Sequence, residues 1–427
     1  MRPKKPFSAG NPTFAIFITL LLALAIAPAQ AQTFKVLHTF RGPNGALPIT
    51  QLVRDAAGNF YGTTGAGGNG KGVCVSFFNG CGTAFKLNKY GKQVWLHSFN
   101  EVNGIQPMAG LLRDKEGNLY GTTVLGGDTK CFQYGCGTVF KLDPTGKETV
   151  LHKFSGSRDG EMPEALLVED SAGNLYGTTY LGGSVHNAGT VFKVDDKGTE
   201  TVLHRFCSQT NCADGRFPYS GVIINKAGKL FGVTTSGGSI GAGEVFELDT
   251  TGKETVLYSF NGGSDGSGPS SVLVADAAGN LYGTTQEGGN DQCGGSGCGV
   301  VFEVSPHSDG SWTESVLYVF CSLSNCADGE RPYAGPLIID SAGNLYGTTF
   351  FGGDPACGRT GCGVVFKLYK SGNETVLHSF TGSADGAYPW AGLIMDKAGN
   401  LYGAAGQGGD LSCPIQNGCG VVFKITP

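Results

Sequence analysis

The eight residues AGNLYGTT stand at 172–179, 278–285 and 342–349, and close variants recur along the rest of the chain. Their aromatic residue, or its substitute, falls at Tyr61, Tyr120, Tyr176, Phe231, Tyr282, Tyr346 and Tyr402, which makes seven copies spaced 51 to 64 residues apart. Four strand-like runs belong to each copy: an L-[LIV]-x-D run such as LLRD, then LYGTT, then GTVFKLD, then ETVLHSF. Valine, isoleucine, threonine and aromatics fill these runs, and Gly, Asn, Asp and Pro punctuate them, as strands and turns require. No segment carries a 3.6-residue period. Four short strands in a repeat of about 50 residues is the pattern of a propeller blade, whereas solenoid repeats are shorter or helical.

The count closes on itself. Past residue 32 the chain opens with TFKVLHTF, a fourth-strand motif with no blade before it, and it finishes with VVFKITP, a third-strand motif with nothing behind it. Fourth-strand motifs start at Val36, Val94, Val150, Val202, Val256, Val316 and Val376. The expected fold is therefore all-β: a seven-bladed β-propeller with four antiparallel strands per blade, closed by the N-terminal strand pairing beside residues 421–425, so that no half-blade leaves an open edge. In the opening phrase, Ala-Gly-Asn is expected to form a tight hairpin in which Gly and Asn take positive φ. Leu-Tyr-Gly-Thr-Thr is the second strand, with the tyrosine packing between sheets and the glycine admitting a neighbouring backbone.

Loop lengths separate two faces. The hairpins DAAGN, DKEGN, DPTGK and their like are short in every blade, whereas the connections after LYGTT and after VLHSF are long and variable. Strand alternation places the long connections together, and a functional site is expected among them. All 14 cysteines lie there in close pairs: Cys74/Cys81, Cys131/Cys136, Cys207/Cys212, Cys293/Cys298, Cys321/Cys326, Cys357/Cys362 and Cys413/Cys419. Local pairing into seven small disulfide loops is the simplest connectivity, each contributing at most about 2 kcal/mol. Such bridges are expected to staple individual loops and not to close the fold. Zinc is a weak rival, because C-x4-C without a second pair or a histidine partner lacks the usual ligand spacing.

Residues 1–31 read as a secretory signal peptide: a basic start (Arg2, Lys4, Lys5), an apolar run of 14 residues from Phe14 to Ala27, and Ala29-Gln30-Ala31 as a cleavage site. That run is shorter than the roughly 20 residues needed to span a bilayer, and no later stretch is long enough. The mature chain, 32–427, is expected to be secreted or periplasmic, with no membrane span and no C-terminal sorting tail. It carries 27 basic against 35 acidic residues, a net charge of −8, since the leader holds three of the 30 basic residues and no acidic one. An acidic exported chain is a poor partner for nucleic acid or an anionic membrane.

A Gly-Gly pair follows each second strand (Gly67-Gly68, Gly126-Gly127, Gly182-Gly183, Gly237-Gly238, Gly288-Gly289, Gly352-Gly353, Gly408-Gly409). This order of motifs resembles a kelch-type blade, although the tyrosine and tryptophan of a kelch repeat are mostly absent. The unit AGNLYGTT…GGxxxxGTVFKLDxxGxETVLHSF is more closely similar to the GloVer-type tandem repeat of exported bacterial proteins, over residues 34–426. The resemblance implies export and a kelch-like repeat propeller. It implies no activity and carries over no catalytic residue.

Candidate sites come from the residues themselves. His38, His97, His152, His204 and His378 share one place in VLHxF with Tyr258 and Tyr318, which reads as a half-buried aromatic and not as a metal ligand. The [DN]-G-x-x-P loop begins with Asn44, Asn103, Asp159, Asp214, Asp265, Asp328 and Asp385. An Asx-type turn is expected there. Calcium on Asp159, Asp214, Asp265, Asp328 and Asp385 is the sharper alternative, which would need six to eight oxygens gathered together. After the proline comes Ile49, Met108, Glu164, Tyr219, Ser270, Tyr333 or Trp390, and then a small residue: Thr50, Ala109, Ala165, Ser220, Ser271, Ala334 or Ala391. Small residues suit the crowded axis, and the variable ones are expected to ring the channel mouth. Glu164, Arg216, Tyr219, Arg331, Tyr333, Tyr388 and Trp390 are thus the candidate ligand-binding residues, forming an aromatic and charged cup for a sugar or a peptide.

No G-x-S-x-G elbow between a strand and a helix, no H-E-x-x-H and no phosphate-loop motif is present, and no catalytic residue can be named. The functional expectation is an exported binding module for an extracellular glycan or protein, monomeric and without a cofactor. A polysaccharide lyase or glycoside hydrolase acting at the channel mouth, and a structural cell-envelope protein without catalysis, are the alternatives.

Overall fold

The computed structural model describes Met1, Pro3 and residues 32–426 apart from 70–73, 75, 77, 78, 130, 132, 157, 334 and 359. Contacts divide the chain between Ala31 and Gln32. The leader expected at 1–31 lies outside the described residues, save Met1 and Pro3.

Residues 32–426 form seven antiparallel sheets, each a blade. Blade 2 shows the plan, from the axis outward: Leu112–Arg113, Leu119–Thr123, Thr138–Leu142 and Glu148–Lys153. Blade 7 is composite. Its inner strands are Ile394–Met395, Leu401–Ala405 and Val421–Thr426, and its outermost strand is Thr33–Thr39 from the other end of the chain. The register runs from Thr33 opposite Thr426 to Thr39 opposite Val421, closing the ring as expected. Blade 5 departs from the plan by one extra inner strand, Ser267–Pro269, which pairs with Leu281–Glu287.

The phrase AGNLYGTT is structural, by a route that differs from expectation at two residues. In the hairpin only the glycine is left-handed (Gly117 φ 91°, Gly173 φ 83°), and the asparagine is not. The aspartate that opens the hairpin grips the asparagine instead: Asn118 N and Nδ2 donate to Asp114 Oδ1 and Oδ2 at 2.7 and 2.6 Å. Tyr120 Oη donates to the same carboxylate at 3.1 Å. Five other blades repeat that tyrosine bond, whereas blade 4 carries Phe231 with Asn225 and so changes both partners at once.

The second correction concerns the glycine of LYGTT. It admits a side chain, not a backbone. Gly121 pairs with Phe140 across the sheet, and a Cβ on Gly121 would stand 2.7 Å from the Phe140 ring. All seven blades repeat this overlap of strand-three phenylalanine on strand-two glycine, at 2.6 or 2.7 Å. The ring bent over each glycine then meets the edge of a phenylalanine from the preceding blade. Seven such T-shaped pairs, Phe40–Phe85, Phe99–Phe140, Phe154–Phe192, Phe206–Phe246, Phe260–Phe302, Phe320–Phe366 and Phe380–Phe423, have centroids 4.9 to 5.3 Å apart. Edge-to-face pairs contribute about 0.5–1.5 kcal/mol beyond their burial. The hydrophobic cores accordingly lie between blades; the cluster holding Val139 and Phe154 of blade 2, for example, also holds Leu175 and Phe192 of blade 3.

The cysteines are joined as sequence neighbours: Cys74–Cys81, Cys131–Cys136, Cys207–Cys212, Cys293–Cys298, Cys321–Cys326, Cys357–Cys362 and Cys413–Cys419. None of the described cysteines is free. Each bridge closes within a single loop, as expected, and some reach into the core as well, most plainly at Cys419. That residue is fully buried and packs with Phe40, Leu52, Phe60 and Val422 in the core between blades 7 and 1, while Cys413 lies at the edge of the same cluster. Cys419 O also accepts from Leu47 N of blade 1 at 3.1 Å. Cys81, Cys136 and Cys298 are likewise fully buried, each just before a third strand. The reason is that the second cysteine of these pairs stands where the loop re-enters the sheet, so its sulfur is also a small apolar group at a blade junction. Disulfides in this number fit an oxidising compartment such as the periplasm or the cell exterior. Among the described residues no helix is long and apolar enough to cross a membrane.

Candidate functional site

Each blade presents its [DN]-G-x-x-P loop to the mouth of the ring in the same way. The residue before the proline is left-handed in all seven: Leu47, Gln106, Met162, Phe217, Gly268, Arg331 and Tyr388 have φ between 52° and 63°. Six of these are bulky residues that avoid this conformation when free, at a cost of about 1–2 kcal/mol each. Two backbone bonds hold them there. Arg331 N donates to Cys298 O of the preceding blade at 2.7 Å, and Arg331 O accepts from Phe350 N of its own blade at 3.1 Å. Tyr388 is held likewise between Cys362 O (2.8 Å) and Gly406 N (3.1 Å). The following proline packs on a glycine of the preceding blade, Pro389 Cδ standing 2.7 Å from where a Cβ on Gly363 would be. The loop is therefore pinned on both sides, and the side chains that follow are displayed from a rigid frame.

The small residues after the proline line the axis as expected. Thr50, Ala109, Ala165, Ser220, Ser271 and Ala391 are buried, while Ala334 lies outside the described residues. They leave a cavity of only about 50 Å3 between the inner strands. Of the variable residues, Ile49, Met108, Glu164, Tyr219, Tyr333 and Trp390 are half-buried, and Ser270 is buried.

The mouth is lopsided. Tyr219 meets Tyr333 edge to face at 5.7 Å, and Tyr333 meets Trp390 at 4.7 Å. Short Ser270 in the intervening blade leaves room for the first of these contacts. Trp390 continues to Phe350 at 5.1 Å, Phe350 to Tyr388 at 5.1 Å and Tyr388 to Phe351 at 5.9 Å. At the other end Tyr219 touches Tyr180 at 5.8 Å, and Tyr180 touches Phe217 at 5.2 Å. Arg216 lies over Phe217, its Cζ 4.1 Å from the centroid, and Arg331 Nη2 donates to Ser296 Oγ at 3.2 Å. Eight half-buried rings thus form one continuous patch over blades 3, 4, 6 and 7, with Ile49 and Met108 opposite.

Glu164 is the one carboxylate among the described residues around the axial cavity. Burial pushes its carboxyl up to about 7, and the neighbouring Tyr219 hydroxyl draws it back in part. The Tyr219 hydroxyl is itself pushed far above its ordinary range, by burial first and then by Glu164.

The structure therefore brings Glu164, Tyr219, Tyr333, Tyr388 and Trp390 into one patch, with Arg216 and Arg331 at its edge. Tyr180, Phe217, Phe350 and Phe351 complete it and are absent from the sequence-derived set. A signal for three of them existed: the two residues after each second strand vary as widely as those after the proline, running Gly-Ala, Val-Leu, Tyr-Leu, Thr-Ser, Gln-Glu, Phe-Phe and Gly-Gln from residue 65 onward.

The VLHxF histidines and the loop carboxylates meet at the outer side of each junction. His152 Nε2 stands 3.3 Å from Asp159 Oδ2, and His378 Nε2 3.1 Å from Asp385 Oδ2. Tyr258 and Tyr318 donate to Asp265 and Asp328 at 2.9 and 2.8 Å in the same place. Each aspartate also closes its own turn, as Asp159 does by accepting from Ser155 N at 3.0 Å and Asp214 from Ser208 N at 2.7 Å. Asp159, Asp214, Asp265, Asp328 and Asp385 stand in five separate loops, one to a junction, and are not gathered around a common point.

Residues 75–296 and 291–427 match the Gloeobacter/Verrucomicrobia repeat. No curated protein matches the chain in sequence. Among solved structures, a gluconolactonase from Xanthomonas campestris is 13% identical at a TM-score of 0.42, covering 73% of this chain and 82% of its own. A luciferin-regenerating enzyme is 13% identical at a TM-score of 0.45, covering 74% and 90%. The extracellular domain of a protein described as a one-component system of B. thetaiotaomicron is 11% identical at a TM-score of 0.52, covering 91% of this chain but 40% of its own. The first two are too distant in shape to carry an argument, and the third speaks to the fold alone.

Proposed function

The chain belongs to the Gloeobacter/Verrucomicrobia repeat family, and on that premise we propose that it is an exported binding module whose ligand lies across the aromatic patch of the long-loop face. Residues 1–31 act as its secretory leader, and the mature monomer works in the periplasm or outside the cell. The single observation that carries the reading is the patch of eight half-buried rings on pinned loops. In a fold whose blades otherwise repeat closely, the patch is specific to four blades, and nothing in propeller packing requires it. Exposed aromatic platforms bordered by a few polar groups suit ligands with flat apolar faces and hydroxyl edges. Among extracellular ligands that description fits a glycan best.

Catalysis at the same place lacks a second group. General acid and base work on a glycosidic bond calls for two carboxylates or an equivalent pair, and Glu164 is the only carboxylate among the described residues lining the axis. The test is a glycan array and polysaccharide pull-down with residues 32–427 beside a Tyr219/Tyr333/Trp390→Ala variant. Binding by the parent, weakened at least tenfold in a variant that keeps its melting temperature within a few degrees, supports the reading. Equal glycan binding by both proteins would remove the patch from consideration. Absence of glycan binding with retention of an extracellular protein would shift the ligand class and leave the surface in place.

A further inference from the structure

The junction between blades 3 and 4 differs from its sisters at one residue. The position opening the third strand holds Thr83, Thr138 and Thr190 in blades 1 to 3 and Val300, Val364 and Val421 in blades 5 to 7, but Glu244 in blade 4. The threonines bond to Thr64, Thr123 and Thr179 of the second strand at 2.7 to 2.9 Å. Glu244 has no such role. It is 0% exposed, and neither of its carboxyl oxygens has a hydrogen-bond partner.

What Glu244 faces is more acid. It lies against the Glu254 carboxyl and within reach of the Asp214 charge. Asp214 is fully buried, and Glu254 Oε1 is also without a partner. His204 completes the group. Its Nε2 is unpartnered and stands 3.8 Å from both Asp214 Oδ2 and Glu254 Oε2, whereas the equivalent His152 and His378 close to 3.3 and 3.1 Å on their aspartates. Among the described residues no lysine or arginine forms an ion pair with any of the three carboxylates. The Asp214 loop is held by the Cys207–Cys212 disulfide and by Ser208 Oγ, which donates to Asp214 at 2.6 Å. At Gly215 a Cβ would stand 2.5 Å from Glu244 Oε1, so the backbone comes right up to the carboxyl.

Carboxylates buried without a counter-charge cost several kcal/mol each; here Asp214 and Glu254 flank one imidazole and Glu244 lies against Glu254, so a bound cation would relieve that cost. We propose that His204, Asp214, Glu244 and Glu254 bind a divalent cation of the manganese or zinc class and so clamp blade 3 to blade 4. The donors suit it. Carboxylate oxygens with one imidazole nitrogen are a common set for such ions, whereas calcium prefers six to eight oxygens. Metal-to-ligand bonds of about 2.0–2.2 Å separate neighbouring donor atoms by roughly 3–4 Å. The donor atoms of His204, Asp214 and Glu254 all lie within 4.8 Å of one another, with two of the separations at 3.8 Å. The site lies behind the loop leading to Arg216 and Phe217, outside the aromatic patch, and does not depend on what that patch binds.

The experiment uses residues 32–427 freed of metal with a chelator, then titrated with Mn2+, Zn2+, Ca2+ and Mg2+ while calorimetric heat and melting temperature are followed. Glu244→Thr, which installs the residue of three sister blades, and His204→Tyr, which copies two others, are variants the fold already accommodates. One saturable site per chain for Mn2+ or Zn2+, a melting temperature raised by several degrees, and loss of both in Glu244→Thr are expected. Without metal, Glu244→Thr should melt above the parent, because it removes a buried carboxyl that has no partner. If the parent shows no saturable binding, if Glu244→Thr binds as tightly, or if Ca2+ and Mg2+ are preferred, the proposal is overturned. A parent that is metal-indifferent and melts at or above Glu244→Thr would mean that the two glutamates share a proton instead.

Discussion

Gln106 occupies a left-handed conformation (φ 57°) that costs a side-chain-bearing residue about 1–2 kcal/mol, and blade 5 satisfies the same place with Gly268. Glycine there would relieve the strain but would lose more freedom on folding, about 0.5–1 kcal/mol. Gln106→Gly should thus be neutral or stabilising by up to about 1 kcal/mol in urea unfolding, while Gln106→Val, whose branched Cβ tolerates positive φ worst, should destabilise. A destabilised glycine variant would mean that the backbone bonds to Cys81 and Val124 do not hold the conformation on their own. The sequence hid this feature because proline normally biases its predecessor toward an extended conformation, and the inter-blade bonds that override the bias are tertiary. The LYGTT glycine was hidden for a related reason. Its neighbour is a phenylalanine about twenty residues away whose ring bends across the sheet, so only the register reveals it. Gly121→Ala should cost about 1–3 kcal/mol as an overpacked contact with Phe140, in the same assay.

At the scale of strands and junctions, the phenylalanine pairs and the outer-rim carboxyls make opposite contributions. Phe154 is fully buried and meets Phe192 of the next blade. Phe154→Ala should cost about 3–5 kcal/mol, with Phe154→Leu well below that. At several junctions lies a strand-four glutamate whose charged form is unwelcome, as at Glu200, Glu314 and Glu374. Burial, and next the charge of Asp265 or Asp328, pushes Glu314 and Glu374 each up to about 7; burial alone dominates at Glu200, also about 7. The folded state then holds these protons more tightly than the unfolded chain, whose carboxyls titrate near 4.5. Their contribution is fully present below about pH 4.5 and is lost as pH rises through about 7. The hairpin aspartates act in the reverse sense: hydrogen bonds from asparagine and tyrosine hold Asp170, Asp276 and Asp340 below their usual range against the effect of burial, so their contribution is lost only in acid. Melting temperature in a chelated sample should therefore fall from pH 6 to pH 8, modestly because water screens these half-exposed groups, and Glu314→Gln with Glu374→Gln should flatten the fall. An unchanged slope in that double variant would place the effect elsewhere. None of these couples was legible beforehand, since each joins a glutamate to a loop aspartate far back along the chain, as Glu314 to Asp265 and Glu374 to Asp328.

For the molecule as a whole, the large features were legible and the specific ones were not, and the reason lies in repetition. Seven copies of one phrase, and terminal motifs that complete each other, fix blade number and closure, because any other count leaves a strand unpaired. Specificity lies in departures from the repeat, and a departure has meaning only beside its neighbours in space: Tyr180 beside Tyr219, Glu244 beside Glu254. Closure also makes the strongest prediction about the intact ring. Thr33–Thr39 covers the edge of Val421–Thr426 over six paired positions, and Phe40 then fills the junction with Phe85 and Cys419. A chain starting after Phe40 should expose both an open strand edge and half of an inter-blade core, and such edges pair with other chains. By light scattering after size exclusion, residues 32–427 should run as a monomer and residues 41–427 as larger species with a lowered melting temperature. A synthetic peptide spanning 32–40 should restore the monomer, whereas the same peptide with Phe34 and Phe40 replaced by serine should not, because Phe34 stacks on His378 and packs against Phe423. Were the truncated chain to stay monomeric and melt like the parent, the first strand would be an ornament on a ring of six complete blades, and the seventh would close through its three remaining strands.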